Sequence, residues 1–162
     1  MVNSENSAAK KKIKPEQVSK REQVQGLLRG VRLDIDGYKQ LHALLVRQRE
    51  LMQRRDNAGL AAHNEEQTKL CELLMERAKK RSITLVALGF TGNSKGMEDL
   101  IARLPESSQK QVLLLWRNLV KLVRESQQFN EENGKLLVSQ QEVINSLLNK
   151  QPESQNDYGH AR

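Results

Sequence analysis

The sequence predicts an all-α fold: an elongated antiparallel helical hairpin or three-helix bundle, with coiled-coil character and disordered termini. Apolar residues recur at steps of three and four over long stretches, the spacing of one helix face. Only 3% of the 162 residues are aromatic, and Leu, Gln, Glu, Lys and Arg abound, so the material is helix-forming. A β-sandwich or β-barrel would draw on far more Val, Ile, Thr and aromatic residues. The length fits one domain of ordinary size.

Residues 1–14 are polar, carry Lys10, Lys11, Lys12 and Lys14, and read as a disordered basic arm. Pro15 suits the first turn of a helix, with Glu16 favourable near its positive end. A single helical domain is expected over 15–148. Its first helix, about 18–54, follows the seam Val24, Leu28, Val31, Ile35, Tyr38, Leu45 and Met52, with gaps at His42 and Arg49. Gly26, Gly30 and Gly37 each cost about 1 kcal/mol against Ala, so the helix is either continuous or broken near Gly30. Residues 55–59 form a turn, with Asp56 or Asn57 as the cap of the next helix.

The second helix is expected over about 60–88, along Leu60, Asn64, Gln67, Leu70 or Cys71, Leu74, Ala78, Arg81, Leu85 and Leu88. Gly89 is placed to end it. A short helix over about 97–104 precedes Pro105, and Ser107 or Ser108 is the candidate cap of a third long helix, about 106–148. Between Val112 and Val123 that helix has nine apolar residues, more than one face absorbs, so cover on two sides is expected. Residues 149–162 are polar, hold Pro152 and Gly159, and read as a flexible tail with one aromatic, Tyr158.

Chemistry finds little support. His42, His63 and His160 lack the short spacing of zinc ligands, so no metal site is expected. Cys71 falls on an apolar stretch without an identifiable base and reads as a buried thiol, and a lone cysteine fits a reducing compartment. The stretch from Ile83 to Gly96 imitates a strand, a glycine-rich loop and a helix. A phosphate-binding loop needs Gly-Lys-Ser/Thr, however, and Lys95 is followed by Gly96. No catalytic residue, cofactor or small-molecule substrate is therefore expected. The longest apolar run, Val112 to Trp116, falls far short of the roughly 20 residues of a membrane span, and the polar start has no leader-like core. A soluble, cytoplasmic protein without membrane insertion is the expectation.

The net charge of +7 raises nucleic acid as a partner. The cations of 47–55 and 77–81 are interrupted by Glu50 and lie beside Glu76 and Asp56, with no aromatic among them, which favours a solvated helix face. A basic helical nucleic-acid-binding or scaffold protein is the alternative reading. The surplus apolar surface of the third helix instead suits a partner helix, with ordinary core or self-association as a homodimer as its competing uses.

Four stretches together resemble a known family. They are Leu-Val-Arg-Gln-Arg-Glu-Leu-Met-Gln-Arg-Arg-Asp at 45–56, Ala-Arg-Leu-Pro at 102–105, Asn130-Glu-Glu-Asn133-Gly134, and Tyr158-Gly159. In this order the chain, over about residues 30–160, is similar to the bacterial flagellar export chaperones of the FlgN family. The resemblance implies a small helical cytoplasmic chaperone. Such a protein binds the C-terminal helical regions of the hook–filament junction proteins FlgK and FlgL, prevents their premature assembly and guides them to the type III export gate protein FlhA. It further implies that the client is held by the C-terminal amphipathic helix, here Leu136, Leu137, Val143, Ile144, Leu147 and Leu148, and that Tyr158 docks on the gate. Asn130, Asn133 and Gly134 are the most specific internal match. As side chains, the two asparagines suit either a solvated face or hydrogen bonds across helices, and Gly134 a hinge. The family's chaperones are usually acidic, whereas this chain is basic and carries a Lys-rich arm before Pro15.

Overall fold

The computed structural model of the chain describes residues 19–149. The basic arm, Pro15, the tail and Tyr158 lie outside them. The fold is all-α, with no strand among the described residues: α1 is Lys20–Gln53, α2 is Asn57–Ala87, α3 is Ser94–Ala102 and α4 is Glu106–Leu148. No helix among these residues is long and apolar enough to cross a membrane.

Local chemistry sets the helix ends. The Ser19 hydroxyl accepts from the Glu22 amide at 3.2 Å and caps α1, which then runs unbroken through Gly26, Gly30 and Gly37. Past its last residue, Gln53, the chain turns off at Arg55, a non-glycine residue with φ of 57°. There the Asp56 amide donates to the Leu51 carbonyl and the Arg55 amide to the Met52 carbonyl, each at 3.0 Å. Asp56 at once caps α2, its carboxylate accepting from the Gly59 amide at 2.9 Å. The end of α2 repeats the pattern of bonds on a glycine: Gly89 has φ of 91°, and Phe90 donates back to Leu85 at 2.9 Å.

The glycine-rich stretch after α2 is capping geometry. Asn93 caps α3 by accepting from the Gly96 amide at 3.0 Å, and a Cβ on Gly96 would overlap the Thr91 carbonyl. Residue 96 must therefore be glycine for the loop to fold onto the helix start. α3 accordingly begins at Ser94, earlier than periodicity alone suggests, because the cap and not the first apolar residue sets its start. Neither Ser107 nor Ser108 caps α4. Both lie inside its first turn, and the Pro105 carbonyl accepts from the Ser108 and Gln109 amides at 3.0 and 2.9 Å.

Contacts divide the chain into two compact units. Among the described residues, unit one holds those up to Asp36 and Leu73–Leu119, and unit two holds Gly37–Glu72 and those from Val120 onward. Unit one contains eleven of the fifteen buried apolar side chains, among them Leu27, Val31, Leu85, Met97, Ile101, Trp116 and Leu119. At its centre Asp34, with its side chain 2% exposed, receives Arg81 from α2 at 2.6 Å and faces Arg77 at 3.6 Å. The Arg81 guanidinium also lies 5.4 Å from the centre of the Trp116 ring.

Among its described residues, unit two buries Leu41, Leu45, Leu51 and Met52 as apolar side chains, and adds His63, Ser126 and Asn133. Its coherence comes in good part from polar bonds between helices, such as Gln48 to Asn64 at 3.0 Å across α1 and α2. Cys71 corrects an expectation: it is exposed, and the partial packing that remains around its sulfur pushes the thiol above its ordinary range. The seam of α2 swings past position 71, leaving Leu70 as the half-buried neighbour.

Candidate protein-binding surface

In unit two, α4 runs parallel to the second half of α1, and a ladder of side chains joins them. The His42 and Phe129 rings meet edge to face at 5.5 Å between centres, and the Arg49 guanidinium lies 4.0 Å over the Phe129 ring. Asn133, 3% exposed, is the centre of the ladder. Its amide donates to the Leu45 carbonyl and to Gln48 Oε1, both at 3.0 Å, while its oxygen accepts from Arg49 Nε at 2.9 Å. Arg49 also pairs with Glu132 at 3.0 Å. The last rung is Gln140, which donates to the Met52 carbonyl at 2.9 Å, one residue before α1 ends.

Beyond that rung every residue from 141 to 148 is exposed, although the helix continues to Leu148. This stretch is not polar. Val143, Ile144, Leu147 and Leu148 lie on it, and with Leu137 their exposures run from 39% to 59%; Leu136 is half-buried. At about 100° per residue these six residues share a single arc roughly 140° wide. Val138, also exposed, stands off that arc and was not singled out in the sequence. An apolar stripe, crossed by Gln140 near its middle, that runs on past the end of its neighbouring helix is what a partner helix would cover, at about 25 cal/mol for each Å² removed from water.

The other residues picked out in the sequence separate. Asn130 is exposed and lines a cavity of about 180 Å³ with Tyr38, Cys71 and Gln127. Asn133 makes cross-helix bonds. Gly134 is exposed inside an unbroken helix, and a Cβ added there would meet nothing within 4 Å. No group of His, Cys, Asp and Glu among the described residues could hold a metal ion. The ladder partners Arg49, Glu132 and Gln140 were legible only as surface charge and amide, because nothing in the spacing pairs residues some 85 positions apart.

A family model, FlgN protein, matches residues 23–161, most of the chain and the whole of this surface. The chain belongs to the FlgN family. Membership makes it one of the flagellar export chaperones, proteins that assist flagellum assembly by binding flagellar proteins. Comparison with curated proteins and with solved structures gave no match. The FlgN match reaches past Leu148 into the tail that holds Tyr158.

Proposed function

We propose that this FlgN-family protein is a cytoplasmic chaperone of type III flagellar export. It holds the C-terminal helical regions of the hook–filament junction proteins FlgK and FlgL on the stripe of Leu136, Leu137, Val143, Ile144, Leu147 and Leu148, and delivers them to the gate protein FlhA. The observation that carries the reading is the end of α4: exposed at every residue from 141 to 148, yet apolar along one face. Holding an aggregation-prone helix needs an apolar strip and no bond-making chemistry. Titrating the chain with the C-terminal segment of FlgK or FlgL tests it. Saturable binding supports the reading, and no binding to either segment contradicts it.

Delivery is assigned to Tyr158. An aromatic ring offers large contact area at low entropy cost, which suits a short segment entering a preformed pocket. Tyr158→Ala should leave client affinity unchanged and abolish binding of the chaperone–client complex to FlhA. Calorimetry with and without client checks this, and equal gate affinities for wild type and variant would contradict the role.

A further inference from the structure

We propose that the groove between α1 and α2 in unit one is a second docking site, for a partner helix that presents a carboxylate beside an apolar residue. The groove encloses about 290 Å³, close to the lower size of ligand pockets. Gly26 and Gly30, one turn apart, line it from α1, and a methyl group on Gly30 would meet nothing within 4 Å. The space therefore exists because these two residues lack side chains. Leu27 and the 53% exposed Leu33 supply apolar lining.

Charge selects the occupant. Arg77, Lys80 and Arg81 line the groove against one carboxylate, Asp34, which is buried behind them. Arg81 is fixed by its bond to Asp34 at 2.6 Å, whereas Arg77 faces Asp34 at 3.6 Å, an ion pair that forms no hydrogen bond. Guanidinium donors therefore remain for an incoming acceptor, and Lys80 stands exposed beside them. The surroundings reinforce this selection. The described residues of unit one carry twelve Lys and Arg against seven Asp and Glu, while those of unit two carry nine of each. An apolar-lined groove suits a side chain better than a phosphate backbone, which is met by cations spread over an open face. The site stands on residues that take no part in the α4 stripe.

The test is a titration of the isotope-labelled full chain, followed by amide resonances, with a capped amphipathic peptide bearing Leu and Glu on one helical face. Its Gln analogue and a DNA duplex are run alongside. The Glu peptide should move the Gly26, Gly30 and Thr84 amides saturably, with the Gln analogue about tenfold weaker. Lys80→Glu, which reverses the exposed charge, and Gly30→Leu, which fills the groove, should each abolish those shifts. Leu137→Asp with Ile144→Asp should keep them, so failure of the α4 site and of this one are distinguishable. Equal binding of the Glu and Gln peptides, shifts confined to other residues, no shifts, or tighter binding of the duplex to the same amides would overturn the proposal.

Discussion

Asp34 and Asn133 occupy positions where a helical bundle would ordinarily bury apolar side chains, and each is held by side chains from another helix. Removing one member of a buried pair strands the other, so Asp34→Ala should cost about 3 kcal/mol, the low end of the range because Arg81 keeps partial contact with water. Asp34→Leu combined with Arg81→Met should recover most of that loss. Urea denaturation of the two single variants and the pair checks both values. For Asn133→Ala, which removes three hydrogen bonds but leaves the Leu45 carbonyl in its helix, the expected cost is about 1–3 kcal/mol. A melt of that variant reads it directly. Asn133 was legible in the sequence as a polar interruption of an apolar stripe, with two roles open, and the structure selects cross-helix bonding. Asp34 was not legible, because a carboxylate one step from Ile35 reads as the edge of a seam until Arg81 is brought to it.

The helices themselves were legible because long runs of period-3.6 residues outweigh scattered glycines; α4 ends with the last apolar pair of its pattern, Leu147 and Leu148. Ends set by a single capping atom were harder. The start of α3 depends on the side-chain oxygen of Asn93, which bonds before the first apolar residue of the helix, whereas Asp56, the cap of α2, was one of the two candidates the turn offered. The chain uses glycine in two opposite ways, and two substitutions separate them. Gly30→Ala adds a methyl into open space within a helix and should stabilise by about 1 kcal/mol. Gly89→Ala places a side chain at φ of 91° and should destabilise by about 1–2 kcal/mol. Thermal unfolding of the two variants beside wild type should move the midpoint in opposite directions.

At the scale of the whole molecule, apolar core and net positive charge both gather in unit one, while unit two relies on polar rungs. Composition reported the charge but not where it sits, since that follows from which halves of α1 and α2 fold together. The apolar end of α4 could be read from the sequence as an amphipathic stretch; that its neighbour stops at Gln53 and leaves it uncovered could not. Client capture by that end is the central claim, and the variant Leu137→Asp with Ile144→Asp tests it most directly. Each buried Leu or Ile is worth about 1.5–3 kcal/mol, so losing both should weaken binding of the FlgK or FlgL segment at least about a hundredfold. Helicity should stay at the wild-type value, because exposed positions carry little of the fold. Calorimetry of the double variant, with circular dichroism on the same sample, gives both numbers. Undiminished affinity would contradict the account, and so would loss of the helical signal, which would make these residues core.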